Sequence, residues 1–190
     1  VMQGVDYLRD TAMGKDVPIG DDVIVVGGGN VAIDVALTAK RKGAKNVTLV
    51  CLEKREEMPA WEHEIREALE GEIEIINSFG PKAFFIDKSD RVSGIEFKTC
   101  SAVFDAEGRF HPPYDENECQ PVFGDTVIVA IGQSADLAFV KEQGIATSRA
   151  GGLEAELAEP AAVEQAGGPP GVFERRGVEQ AIGERAPDAV

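Results

Sequence analysis

A buried-strand pattern that runs directly into three glycines and then into a helix constrains this chain more than any other feature. The run Val23–Val26 contains only β-branched apolar residues, which is typical of a strand buried on both faces of a parallel sheet. Gly27–Gly29 follows at once, and Asn30–Lys42 has apolar residues at helical spacing. Val47–Cys51 is a second apolar run. Together these segments predict a β-α-β unit of a parallel α/β fold.

The glycine segment matches a pattern that binds diphosphates. Gly27-x-Gly29-x-x-Ala32 is a dinucleotide fingerprint with Ala at its third position. Gly27 lets the chain turn sharply, Gly29 leaves room for a diphosphate near the main chain, and Ala32 lets the helix pack closely on the sheet. The free N–H groups and the dipole at the start of the helix would bind the diphosphate. The strand–glycine–helix context favours a dinucleotide site over a tight turn without a ligand.

The charged segment after the second strand bears on which dinucleotide binds. Glu53 lies 26 residues after Gly27, close to the spacing of about 20 residues expected of a carboxylate that binds the adenosine ribose. A carboxylate there accepts hydrogen bonds from the 2′-OH and repels a 2′-phosphate, so we expect NAD(H) to be preferred over NADP(H). Lys54 and Arg55 follow directly, and either would neutralise a 2′-phosphate. A solvated charged loop without a ligand is the alternative.

Beyond the β-α-β unit, the pattern changes to short strands separated by turn signals. A helix is predicted over Pro59–Glu70 and a strand over Ile73–Ile76. We expect an antiparallel meander that covers part of the parallel sheet and an exposed loop after it. The predicted meander strands are Ala83–Ile86, Val92–Phe97 and Ala102–Phe104, and the predicted loop is His111–Pro121.

A last apolar strand, Thr126–Ile131, ends at the same edge of the predicted sheet as the glycine segment. Ligands of open α/β sheets bind at the carboxyl ends of the strands, so residues there are expected near the nicotinamide; an ordinary strand-end turn is the alternative. The predicted fold is a Rossmann-like three-layer α/β domain with a parallel sheet and an antiparallel β-meander. The predicted cofactor-binding residues are Gly27, Gly28, Gly29, Asn30, Val31, Ala32, Glu53, Lys54, Arg55, Ile131, Gly132 and Gln133.

Composition narrows the classes of partner. The chain has 34 acidic and 19 basic residues and a formal net charge of −15, so nucleic acids and anionic membranes would be repelled. No apolar run is long enough for membrane insertion, and a cytoplasmic location is expected. The three cysteines form no CxxC pair, and neither a metal site nor a catalytic acid or base is predicted.

Five segments of the chain together match motifs of a known flavoprotein family. They are Gly27–Asp34, Arg41–Ala44, Val47-Thr48, Glu57–Ala60 and Ala130–Gly132. The chain resembles the pyridine-nucleotide domain of oxidoreductases related to the glutamate synthase small (β) subunit, within the pyridine nucleotide-disulfide oxidoreductase superfamily. The resemblance implies that NAD(P)H exchanges a hydride with FAD, and that electrons pass on to a flavoprotein or iron–sulfur partner subunit.

The same resemblance implies a domain organisation. Residues 1–20 would be a lead-in helix and linker from an FAD domain, residues 21–140 the NAD(P)H-binding domain, and residues 141–190 a divergent, partly disordered remnant of the FAD domain. Glu174–Gly177 replaces the flavin-binding Gly-Gly-Asp of the family, so FAD is expected in the full-length enzyme and not on this chain alone. As a fragment the chain would be inactive. The alternative function is a non-catalytic dinucleotide-sensing or subunit-docking module.

Overall fold

The apolar runs of the sequence form a parallel sheet that is covered on both faces. A computed structural model describes residues 1–133 and Gln143, and in them the chain forms eight strands and three α-helices. The strands are β1 (Met2–Gln3), β2 (Asp22–Val26), β3 (Asn46–Val50), β4 (Glu74–Ile76), β5 (Phe79–Ile86), β6 (Val92–Cys100), β7 (Tyr114–Phe123) and β8 (Thr126–Val129). The helices are α1 (Gly4–Ala12), α2 (Asn30–Arg41) and α3 (Glu62–Glu70).

Five of the strands are parallel and have the order β1-β8-β2-β3-β4. β2 is central, with Val25 in register with Leu49 of β3 and with Ile128 of β8. All three side chains are fully buried. Burial on both faces explains why this strand has no polar side chain in its interior.

The two faces of the parallel sheet carry different layers. On one face, Ile33 and Val35 of α2 share a buried cluster with Val25 and with Tyr7 of α1. On the other, Ile24 of β2 packs in a second cluster with β6 of the antiparallel sheet β5-β6-β7. The predicted fold class, a Rossmann-like α/β domain with a parallel sheet and an antiparallel meander, is confirmed.

The third strand of the meander differs from the prediction. β7 occupies most of the segment predicted as an exposed loop, while Ala102–Phe104 contributes only an isolated bridge between Phe104 and Phe110. β7 is an edge strand with mostly exposed side chains, so it lacks the apolar alternation that marks a strand in a sequence. Pro121 is tolerated there because an edge strand has one unpaired side.

The start of the chain also differs in detail. The lead-in helix is present as α1, but it is preceded by β1, whose two residues pair in parallel with Ile128 and Val129 of β8. A strand of two residues is too short to give a period in the sequence.

The chain divides into two units, Val1–Ala135 and Asp136–Val190. The division into residues 1–20, 21–140 and 141–190 stays a prediction, and the expectation of partial disorder in residues 141–190 concerns residues outside those that the structure describes. In the part of the chain that the structure describes, no helix has the length and apolar character needed to cross a membrane.

Candidate dinucleotide-binding site

A cleft of about 630 Å³ lies at the carboxyl ends of β1, β2 and β8. From β2 the chain passes through α2 to β3 on one side, while β8 and β1 lie on the other. The cleft is therefore at the point where the strand order reverses, which is where ligands of open α/β sheets bind. The residues that line it are Gln3, Gly4, Val5, Gly28, Gly29, Asn30, Val31, Pro59, Val129, Ala130, Ile131, Gly132 and Gln133.

The start of α2 presents unbonded main-chain donors to this cleft. The Gly27 N–H donates to the Val50 carbonyl at 2.9 Å, and the Ala32 N–H donates to the Gly29 carbonyl at 2.9 Å. Between them, the N–H groups of Gly28–Val31 have no acceptor among the described residues, and no side chain caps the helix. Four successive free donors at the positive end of a helix dipole form a site for an anion.

Gly27 and Gly29 have different tasks. Gly27 has a φ of 140°, and a Cβ there would collide with the Ala130 carbonyl oxygen, so this glycine permits the turn itself. Gly29 has an ordinary φ of −91°. Among the described residues, its two chain neighbours aside, the only atom within 4 Å of a Cβ built on it is Pro59 Cγ at 3.9 Å. The missing side chain at Gly29 therefore leaves space on the cleft side without being required by the fold.

The segment after β3 lies against the glycine segment. A Cβ built at Gly28 would lie 2.6 Å from Glu53 Oε2, which puts the Glu53 carboxylate next to the proposed diphosphate site. The Glu53 carbonyl accepts hydrogen bonds from Asn77 Nδ2 and from the Ser78 N–H, both at 3.1 Å. The end of β4 thus holds the end of β3 in place, a support that the sequence analysis missed.

Cys51 lies beneath the same segment as an unreactive thiol. Burial, with a smaller contribution from the nearby Glu53 carboxylate, raises the pKa of the Cys51 thiol to about 12. The thiol is therefore neutral at physiological pH, and nucleophilic chemistry at Cys51 is not supported.

Two cations follow Glu53 at the surface. Arg55 Nη2 lies 2.8 Å from Glu62 Oε1, and Lys54 Nζ lies 3.8 Å from Glu57 Oε1. The hydrogen bond from Arg55 lowers the pKa of Glu62. Neither cation lines the cleft, and both belong to exposed ion pairs, which are weak enough to exchange partners.

The remaining predicted residues divide between the cleft wall and the core. Ile131–Gln133 line the cleft, and Ile131 is 75% exposed. Gly28–Val31 line it as well, whereas Ala32 is fully buried against the sheet. The structure thus brings the predicted residues after β2 together with those after β8 in one cleft. Of the predicted residues after β3, Glu53 lies against Gly28.

Several lining residues were not predicted. Gln3–Val5 line the cleft because β1 pairs with β8. Gly4 packs closely there, since a Cβ at Gly4 would lie 3.1 Å from Ala130 Cβ, and the sequence carried no signal for this contact. Pro59 lines the cleft because it lies in the segment before α3 and not in the first turn of that helix. α3 starts at Glu62, and the expectation that the helix runs from Pro59 is wrong, since Ala60 and Trp61 bind the glycine segment instead.

Curated relatives match a large part of the chain. The chain is 38% identical over 140 residues to the NADPH-Fe(3+) oxidoreductase subunit beta of Geobacter sulfurreducens, a match that covers 73% of this chain and 21% of that protein. It is 32% identical over 114 residues to the glutamate synthase [NADPH] small chain of Escherichia coli K12, covering 60% of this chain and 24% of the relative. The chain thus spans about a fifth to a quarter of the length of these relatives.

These relatives correct the expected cofactor preference. Both are named for NADPH, so the prediction that NAD(H) is preferred over NADP(H), made from Glu53, is wrong. The sequence itself leaves room for this correction, because Lys54 and Arg55 follow Glu53 directly and their two positive charges offset its repulsion of a 2′-phosphate.

Solved structures and the family comparison agree on the fold. Thioredoxin reductase from T. acidophilum superposes with a TM-score of 0.55 at 19% identity, over 76% of this chain and 40% of that one. Residues 1–77, which carry β1 to β4 and the glycine segment, match the family described as pyridine nucleotide-disulphide oxidoreductase. In residues 1–77 the chain belongs to the pyridine nucleotide-disulphide oxidoreductase family.

Proposed function

We propose that the described residues form the NADP(H)-binding domain of a flavin-dependent oxidoreductase. The observation that carries the proposal is the row of four free N–H groups at Gly28–Val31, at the start of α2 and on the wall of the cleft. A diphosphate offers several acceptor oxygens and a double negative charge, which such a row binds well. The attraction is local, and it does not conflict with the net charge of −15 over the whole chain.

The positions of the other residues give the dinucleotide a direction. With the diphosphate at Gly28–Val31, the adenosine half would extend toward Glu53, and the nicotinamide half toward Ile131–Gln133 at the end of β8. Lys54 and Arg55 would leave their exposed partners to bind the 2′-phosphate of NADP(H). The use of NADPH by relatives supports this assignment.

The chain's own residues would bind and orient the nucleotide and exclude water from one face of it. Nicotinamide and flavin supply the hydride chemistry when they are bound, so no protein acid or base is needed. In the part of the chain that the structure describes, a single strand–glycine–helix site is present, and the proposal assigns it to NADP(H). FAD would then be held elsewhere, in another domain of the same enzyme or in a partner subunit.

A calorimetric titration of the 190-residue chain with NADPH, repeated with NADH, tests the binding step. We expect saturable binding of one NADPH per chain and weaker binding of NADH. Correctly folded protein that binds neither nucleotide would overturn the proposal.

Visible absorbance and a partner assay test the redox step. We expect colourless protein that does not oxidise NADPH by itself and that supports NADPH oxidation when a separately produced flavoprotein partner is added. NADPH binding that changes partner affinity without electron transfer would instead favour a sensing or docking module.

A further inference from the structure

The glycine segment is tied to the segment that precedes α3 by two hydrogen bonds. Asn30 Oδ1 accepts the Trp61 N–H at 3.0 Å, and the Gly28 carbonyl accepts the Ala60 N–H at 3.2 Å. Pro59, at the start of the same three residues, lines the cleft and is the nearest neighbour of a Cβ built at Gly29. We call Pro59–Trp61 the brace.

The two bonds hold residues that belong to the row of free donors. Gly28 is the first and Asn30 the third residue of the row Gly28–Val31. Gly28 accepts through its main-chain carbonyl and Asn30 through its side-chain oxygen, so the N–H groups of both residues stay unbonded. The Asn30 side chain points its carbonyl oxygen toward the brace, so it is already engaged before a ligand enters. A row of donors that is fixed in advance loses less conformational entropy when it binds an anion.

We propose that the Asn30 side chain has a positioning role: it acts on the dinucleotide through the brace and not by contact with it, while the Asn30 N–H stays in the row of donors. The inference rests on the proposed function, because its effect is on NADPH affinity. The proposal gives the side chain of Asn30, which the sequence predicted as a cofactor-binding residue, a different role. It also gives Pro59–Trp61 the role of holding the row of donors in place.

Substitution of Trp61, whose N–H donates to Asn30, tests the positioning role without changing Asn30 itself. Trp61 has a φ of −65°, which proline adopts without strain, and it precedes the first residue of α3. Trp61→Pro therefore removes the N–H donor and puts the proline Cδ where the amide hydrogen met Asn30 Oδ1, so the bond is broken while no cleft-lining residue is replaced. Trp61→Ala is the matched control, because it removes the indole and keeps the N–H. Trp61 is 65% exposed, so the loss of its side chain should disturb the packing little.

We expect Trp61→Pro to bind NADPH about fivefold more weakly than Trp61→Ala, which corresponds to about 1 kcal/mol. Adding Asn30→Leu to Trp61→Pro should weaken binding little further, since both changes break the same bond. Equal affinities of Trp61→Pro and Trp61→Ala would overturn the proposal, as would fully additive losses in the double variant.

Amide hydrogen exchange without ligand gives a second readout and protects the test against misfolding of Trp61→Pro. The Trp61 N–H should exchange slowly in the wild-type chain and in Asn30→Asp, which keeps an accepting oxygen, and faster in Asn30→Leu. Equal exchange in Asn30→Asp and Asn30→Leu would overturn the brace. If the wild-type chain binds no NADPH, the proposed function fails, while the exchange result still decides whether the brace exists.

Discussion

The Glu53 carboxylate lies against Gly28, at 2.6 Å from the position that a Cβ of residue 28 would take. The end of β3 is therefore packed on the glycine segment that follows β2. Because these strands are neighbours in register, with Val26 opposite Val50, the two loops must meet at one edge of the sheet. This adjacency brings a carboxylate and the two cations after it to one end of the proposed diphosphate site.

Removal of those cations should lower the affinity for NADPH selectively. The double variant Lys54→Gln/Arg55→Gln is expected to bind NADPH at least about tenfold more weakly, because even one charge-assisted hydrogen bond to phosphate contributes about 1.5–3 kcal/mol. NADH has no 2′-phosphate, and its affinity should change little. Calorimetric titrations with both nucleotides measure the difference.

Lys42→Gln is the control for net charge; it removes one positive charge where the double variant removes two, so the losses of affinity are compared per charge removed. Lys42 is exposed and lies at the opposite end of α2 from the glycine segment, so its replacement should affect both nucleotides equally and weakly. A similar loss of NADPH affinity in Lys42→Gln would show that long-range charge, and not a local phosphate site, is being measured.

Valine at the two glycines should separate folding from binding. Gly29→Val should change the free energy of unfolding by about 1 kcal/mol or less, since its φ is ordinary and the space is open. It should also abolish measurable NADPH binding, because the side chain occupies the diphosphate position. Gly27→Val should destabilise the fold by about 1–3 kcal/mol from its positive φ alone, with a clash against Ala130 in addition.

Urea unfolding monitored by circular dichroism and titration with NADPH measure the two effects. Gly29→Val protein that unfolds like the wild type and still binds NADPH would contradict the assigned position of the diphosphate.

The buried thiol of Cys51 should make stability fall at alkaline pH. Burial holds its pKa at about 12 in the folded chain, against an ordinary value of 9.0. The unfolded chain therefore loses the proton first, so the contribution of Cys51 is complete below about pH 9 and is lost as pH rises toward 12. Cys51→Ala should show a smaller loss of unfolding free energy over this window. Parallel pH profiles of the two proteins would contradict the buried, neutral thiol.

Patterns with a strong physical cause were predictable from the sequence. Val23–Val26 had to be a strand because only burial on both faces suits such a run, and the glycines after it had to form a turn into α2. Segments held by distant pairing were not predictable. β1 forms through two residues that pair with β8, and Trp61 is kept out of α3 by the Asn30 side chain, 31 residues away.

The site shows the same division. The row Gly28–Val31 follows from the fingerprint, because the fingerprint is the local cause of the free donors. The preference for NAD(H) was wrongly predicted from Glu53; in the proposed site the choice depends on the balance of Glu53 against Lys54 and Arg55, which the spacing of one acid does not give. The hydrogen bond from Asn77 Nδ2 to the Glu53 carbonyl joins the ends of β3 and β4. These ends meet only because the two strands are neighbours in the sheet, so the sequence did not predict the contact.

Backbone amide chemical shifts of the 190-residue chain, recorded by NMR as NADPH is added, test the central claim most directly. The diphosphate should bind the free N–H groups of Gly28–Val31, so these four amides should show the largest saturable shifts. Inorganic pyrophosphate should move the same four amides with lower affinity. Saturable NADPH binding that leaves these amides unshifted and moves others would contradict the account.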